Sequence, residues 1–139
     1  GIKLEVEHGR GIGPVRADPG QLEQVIINLL RNALDATKDA REPMIDLTLS
    51  ADDTATLTVS DNGHGISDLE NLFEPFYTTK KAGEGVGLGL AISSGIMTDF
   101  GGRLTARNGS PQGAVFEMQL PILGQDLAQD LGQDVKAAE

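Results

Sequence analysis

The sequence predicts a single α/β domain, and three observations carry that prediction. Apolar and polar residues alternate in "IKLEVE", "MIDLTLSA", "ATLTVSD", "RLTAR" and "AVFEMQLP", the period of half-buried strands. Two intervening segments carry helix signals, and the strands flanking "DDT" are close enough to pair as a hairpin. A chain of 139 residues with 39% hydrophobic and 23% charged residues has the length and composition for one well-formed core.

In the first strand Ile2, Leu4 and Val6 alternate with Lys3, Glu5 and Glu7, and "GRGIGP" follows as a turn. Asp18 then stands as an N-cap, with Pro19 at the first helical position and Gln21 three residues after the cap, so a helix is predicted over 19–38. The two strands joined by "DDT" end at Asp61. From Asn62 to about Gly89 the chain is rich in Gly, Thr and Lys without a sustained period, a long loop with one helical turn expected in "SDLENLF". Loops this long in compact domains are usually functional or mobile. A second helix over 88–100 is stopped by Gly101 and Gly102, and "RLTAR" and "AVFEMQLP" close the domain as an antiparallel pair. The domain is expected over 1–121. In the appended tail, 122–139, Gln-Asp-apolar recurs and places Leu127, Leu131 and Val135 on one helical face. One thin apolar stripe stabilises little, so the tail reads either as disordered or as a short docking helix.

Composition excludes several classes of function. Without cysteine there is no disulfide, thiolate metal site or cysteine nucleophile. The formal charge of −10 argues against nucleic acid or an anionic lipid surface as a partner, so any polyanion must be held locally. Neither a membrane span nor a signal peptide is visible, and a cytosolic-type domain is expected.

The helix over 19–38 contains the first candidate site. Leu22, Val25, Ile26, Leu29, Leu30 and Ala33 share one face, widened by Ile27 and Leu34, so most of the helix is expected to be buried. On the opposite flank Gln21, Gln24, Asn28, Asn32 and Asp35 fall within about 80° of one another. Carboxamide oxygens are neutral, hard ligands that suit a magnesium ion whose charge phosphates already balance. The pattern also fits a solvated edge.

Two glycine-rich segments follow, "DNGHGI" (61–66) and "GEGVGLGL" (83–90). The second lacks the Lys-Ser/Thr of a P-loop and the G-x-G-x-x-G spacing of a dinucleotide fold. It does run into a predicted helix start, where backbone N–H groups and the positive dipole end favour phosphate. Asp61, at a strand end before Gly63 and Gly65, can accept from an exocyclic amine while the glycines let a flat base approach the backbone.

Taken in order, the polar helix, the strand ending in Asp-x-Gly-x-Gly, "FEPFYTTK" and "GVGLGL" resemble the N, G1, F and G2 boxes of the histidine-kinase catalytic domain in the GHKL ATPase superfamily. The resemblance covers roughly residues 2–121, and "NALDATKD" looks closer to the nitrogen-regulatory and C4-dicarboxylate sensor kinases than to other branches. It implies the Bergerat fold: a two-layer α/β sandwich, its sheet mixed but mostly antiparallel, with helices on one face.

The resemblance also implies the ligands, ATP and Mg²⁺. Asn32 would hold the metal that bridges the phosphates, with Asn28 assisting directly or through water and Asp35 at the same edge. Asp61 would bond the adenine amino group, with Gly63, Gly65 and Ile66 forming the base pocket. Phe73 and Phe76 would anchor the ATP lid, Thr79 and Lys80 would approach the phosphates, and Gly85, Val86, Gly87, Leu88, Gly89 and Leu90 would wrap them. Asn28, Asn32 and Lys80 form the implied catalytic set. The last strand carries Ala114 where the family often has threonine.

Hydrolytic members of the superfamily carry a glutamate four residues before the metal asparagine. Here that position is Asn28, which is no general base, so the resemblance implies transfer and not hydrolysis. Neither His8 nor His64 lies in a His-Glu acceptor motif. The implied acceptor is a histidine on a separate dimerisation domain of the same parent protein, with the receiver domain of a response regulator downstream, and the domain is expected to be cytoplasmic without touching a membrane itself. A non-catalytic nucleotide-binding module and a hydrolytic GHKL ATPase are the alternatives.

Overall fold

The computed structural model describes residues 15–77 and 88–122, and the main chain of 3–8. In chain order these form β1 (Lys3–His8), α1 (Pro19–Thr37), β2 (Met44–Ala51), β3 (Thr54–Asp61), α2 (Gly89–Asp99), β4 (Arg103–Asn108) and β5 (Ala114–Pro121). The strands make one sheet in the order β1-β2-β3-β5-β4. β1 runs parallel to β2, and every other pair is antiparallel. The mixed, mostly antiparallel sheet and both helices match the expected class, with element boundaries within one residue. "SDLENLF" differs, forming turns and bends with Asp68 accepting from the Asn71 N–H at 3.2 Å. The appended segment 123–139 lies outside the described residues.

Strand register sorts the side chains into two faces. Ala55, Leu57, Val59 and Asp61 of β3 stand opposite Leu120, Met118 and Phe116 of β5 and Ala51, Leu49, Leu47 and Ile45 of β2. Leu104 and Ala106 of β4 extend that face by pairing with Met118 and Phe116. The other face carries Asp46, Thr48, Ser50, Thr56, Thr58, Ser60, Thr105, Glu117 and Gln119. Only the apolar face needs cover, and α1 and α2 supply it; their buried Val25, Leu29, Ile96 and Met97 join Val59, Leu104, Phe116 and Met118 in one core.

The Asp18 carboxylate accepts from the Gln21 N–H at 2.9 Å, so α1 begins where the sequence predicts. Such a cap contributes about 1 kcal/mol. At the end of α2, Gly101 sits at φ +76° while the Gly102 N–H donates to the Met97 carbonyl and the Gly101 N–H to that of Thr98. This is a Schellman closure that satisfies the helix's last carbonyls.

One expectation fails. Most of α1 is not buried: Val25, Leu29, Ala33 and Thr37 are, whereas Ile27 and Leu34 are 39% and 47% exposed. These two lie roughly 130° around the helix from the middle of the buried stripe, by helical arithmetic. A helix lying on one side of a sheet covers that sheet with a single stripe and leaves its far flank to solvent. Leu29, fully buried, is the central residue of that stripe. Leu29→Ala should therefore destabilise the domain by about 2–5 kcal/mol, read as a lower urea midpoint; Leu34→Ala should shift the midpoint little.

Candidate functional site

Asp61 is positioned by parity. As the last residue of β3 it shares the face of Ala55, Leu57 and Val59, so the pleat turns a carboxylate into the helix-covered side, where it is 6% exposed. Its Oδ1 accepts from the Gly63 N–H at 2.9 Å and the Ala114 N–H at 3.3 Å. Burial raises its pKa above the usual carboxylate range; the two amide bonds and the nearby His64 pull the other way without cancelling that rise. With Oδ1 taken by the protein, Oδ2 is left as an acceptor for a ligand's donor.

The loop after Asp61 is held by contacts that the sequence analysis did not assign. Asn62 staples it to β2, its Oδ1 accepting from the Met44 N–H at 2.8 Å and its Nδ2 donating to the Glu42 carbonyl at 2.7 Å. Gly63 is buried against α1: a Cβ there would run into the Ala36 carbonyl, so the glycine is needed for the crossing itself. The His64 N–H donates to that same carbonyl at 3.3 Å. The exposed His64 ring places Nδ1 2.7 Å from the Gly65 carbonyl, which can only accept, so Nδ1 carries the proton. Asn108 clasps Ile66 on both sides, and Gln112 donates to the Asn62 carbonyl at 3.0 Å. Gly113, at φ +90°, has no room for a side chain because a Cβ would strike the Asp61 carbonyl.

On α1 the two asparagines have different tasks. Asn28 donates from Nδ2 to the Ser93 hydroxyl at 3.0 Å and, more weakly, to the Gly89 carbonyl at 3.4 Å. A carbonyl only accepts, so the amide nitrogen must face α2 and Oδ1 must face away from it. The side chain of Asn32, one turn later and half-buried, makes no hydrogen bond to any described residue. Asp35 is exposed on the same flank. Two carboxamide oxygens four residues apart are thus available to one cation. Among the described residues no three His, Cys, Asp or Glu side chains gather to hold a metal. A magnesium ion fits here when its own anionic ligand supplies the balancing charge.

Leu88 and Leu90 are half-buried and Gly89 is exposed at the N-terminal end of α2, which has no side-chain cap. That leaves its first N–H groups for a ligand. Thr79, Lys80, Gly85, Val86 and Gly87 lie outside the described residues. Phe73, expected to anchor the lid, packs against the core, and so does Tyr77. Phe76, the other expected lid anchor, is 72% exposed at φ 67°. The Glu74–Tyr77 turn places Phe73 and Tyr77 on the core and leaves Phe76 in solvent. A cavity of about 740 Å³ lined by Ala36, Arg41, Met44, Gly63 and Gln112 sits behind the loop crossing and reaches none of Asn28, Asn32 and Asp61.

The separated segments therefore converge on α1, the loop after β3 through Ala36 and the start of α2 through Asn28. Comparison with known proteins gives this arrangement a family. Residues 17–124 match the family described as histidine kinase-, DNA gyrase B- and HSP90-like ATPase. The chain belongs to it. Within this ATPase family its relatives are sensor kinases of two-component systems. The chain is 47% identical over 103 residues to the C4-dicarboxylate transport sensor DctB of Rhizobium meliloti, covering 72% of this chain and 16% of DctB. To the sensor kinase CckA of Brucella abortus it is 38% identical over 138 residues, covering 88% of this chain and 15% of CckA. It thus spans a small part of the curated relatives it matches. Full-length ShkA in complex with AMPPNP superposes with a TM-score of 0.74 at 30% identity, over 87% of this chain and 26% of that one. The histidine kinase ThkA, solved with the response regulator TrrA, gives 0.70 at 31%, over 86% and 34%. The chain is a histidine-kinase ATPase domain in fold and family.

Sequence reasoning singled out Asp61, Asn28 and Asn32 as candidates and did not single out Ser93, Asn62, Asn108 and Gln112, whose side chains bond them or the loop after β3. For Asn108 a signal existed: it continues the Leu104–Ala106 parity, a polar residue closing an apolar face as Asp61 does.

Asp61 sets two linked expectations. Its folded-state pKa lies above the unfolded value, so the charged form opposes folding at neutral pH, and this opposition is lost as pH falls through the folded pKa. Asp61→Asn should therefore melt no lower than the unsubstituted chain yet lose Mg·ATP binding in calorimetry. In the unsubstituted chain, affinity for ATP should fall on acidification at a pH above the range of an ordinary exposed aspartate.

Proposed function

We propose that this domain binds Mg·ATP and transfers the γ-phosphoryl group to a histidine on a separate dimerisation domain of its parent protein, which in turn phosphorylates a response-regulator receiver domain. The observation that carries the reading is the convergence on α1, with the Asp61 oxygen left for an amino-bearing base, two carboxamide oxygens, and the uncapped start of α2. The sensor kinases among its relatives and the solved kinase complexes named above support it.

The residues divide the work. Asp61 Oδ2 accepts from the exocyclic amine of the base and sets the depth of the nucleotide. Asn32 Oδ1, with Asn28 Oδ1 beside it, would hold a magnesium ion, which when bound neutralises phosphate charge and aligns the triphosphate. The free N–H groups at the start of α2 orient phosphate oxygens. Lys80, Thr79 and Gly85–Gly87 complete the proposed phosphate contacts. In the transfer step an imidazole nitrogen of the incoming histidine forms the new P–N bond as the bond from phosphorus to the bridging oxygen breaks, and ADP leaves with that oxygen. Such a step needs mainly positioning and charge stabilisation from the protein.

Asn28 also separates transfer from hydrolysis. Its amide nitrogen is bonded to α2, and a carboxamide takes no proton from water. The histidine partner arrives on another domain, and a soluble location beside the cytoplasmic receiver domains belongs to the same proposal; among the described residues no helix is long and apolar enough to cross a membrane.

Mixed with the helical dimerisation domain of its parent and labelled ATP, the chain should label the histidine in a Mg²⁺-dependent way, and Asn32→Ala should slow labelling about a hundredfold or more. Steady release of inorganic phosphate without the acceptor, or an unlabelled histidine with intact ATP binding, would count against transfer.

A further inference from the structure

We infer that Asn108 determines base specificity: by occupying both main-chain polar groups of Ile66 it withholds a hydrogen-bond donor that a 6-oxopurine would use. The inference rests on the nucleotide-site reading above and extends it to a residue outside the four sequence boxes. Asn108 is the last residue of β4 and pairs with Ala114, whose N–H bonds Asp61. Its side chain crosses to the loop after β3. Oδ1 accepts from the Ile66 N–H at 2.6 Å, and Nδ2 donates to the Ile66 carbonyl at 3.0 Å. The two bonds fix the amide orientation, because a peptide N–H only donates and a carbonyl only accepts. Gly65, at φ +79°, packs beneath the clasp, where a Cβ would lie 3.0 Å from Asn108 Oδ1.

The rest of the loop's polar main chain is largely committed as well. The Gly63 N–H is on Asp61, the His64 N–H on the Ala36 carbonyl, and the Gly65 carbonyl on the His64 ring. With the Ile66 N–H also taken, the acceptor left to meet position 6 of a purine is the Asp61 Oδ2, and the Gly65 N–H is the one donor of this loop without a partner among the described residues. An acceptor there matches the amino group of adenine and repels the carbonyl oxygen of hypoxanthine or guanine. Removing the Asn108 amide releases the Ile66 N–H, a donor that can pair with such an oxygen. Asn108 is thus a positioning residue: it acts on the base through Ile66 and shapes which hydrogen-bonding pattern the pocket accepts.

ATP and ITP, which differ at position 6 by an amino group against an oxygen, are the probes, titrated with Mg²⁺ into the full chain. The unsubstituted chain should prefer ATP. Asn108→Ala should reduce the ATP-to-ITP affinity ratio about tenfold or more, since a pocket built around one hydrogen-bond pattern loses discrimination when the pattern is relaxed. Asn108→Asp keeps an acceptor for the Ile66 N–H and should retain the preference to within about threefold by the same argument; it decides the question if the alanine variant does not fold. An unchanged ratio in folded Asn108→Ala, or loss of the preference in Asn108→Asp, overturns the inference while leaving the site reading intact. If the unsubstituted chain binds neither nucleotide, the site reading falls and takes this inference with it.

Discussion

The structure depends on one constraint, a carboxylate placed inside the core-facing layer of the sheet. Asp61 ends a strand whose earlier residues on that face are Ala55, Leu57 and Val59, and nothing in the pleat lets it turn outward. A buried carboxylate is tolerated only when its lone pairs are met. Two backbone amides, from Gly63 and Ala114, meet one oxygen, and that requirement fixes both the sharp loop after β3 and the start of β5. Gly113 follows from it, because only a residue without a side chain can pass the Asp61 carbonyl so closely. The carboxylate's remaining oxygen has no donor from the protein, and a partly satisfied acceptor in a low-dielectric setting discriminates strongly among donors.

Carboxamides do the rest of the positioning, in two different ways. Asn62 and Asn108 saturate backbone groups at either end of the loop after β3, which has little apolar content of its own to hold it. Asn28 spans the two helices, its nitrogen fixed by Ser93 so that its oxygen points elsewhere. Among the described asparagines Asn32 alone keeps its whole side chain uncommitted to described residues. One residue type thus supplies both the frame and the uncommitted amide oxygens, because an amide carries a donor and an acceptor on opposite sides of one rigid plane.

The helices show how a one-sided cover shapes the surface. α1 presents a narrow buried stripe centred on Leu29 to the sheet, and the flank beside that stripe carries the asparagines at the boundary where a ligand can reach them. Had α1 been buried on most of its surface, as its apolar content suggests, Asn28 and Asn32 would sit in the protein interior. Ile27 and Leu34 remain outside for the same geometric reason.

Periodicity alone determined the strands and helices, since alternation of two and a period of 3.6 residues are local properties, and the caps at Asp18 and Gly101 are local too. The sequence also marked Asp61, Asn28 and Asn32, because a polar residue at an apolar boundary is visible without a fold. Tertiary structure decided what no local pattern contains: how far α1 is buried, that Phe73 and Tyr77 pack inward while Phe76 faces solvent, and that Ser93 and Asn108 reach Asn28 and Ile66. Those partners lie 65 and 42 positions apart in the chain, and contacts across such separations depend on which strands pair and where the helices cross them.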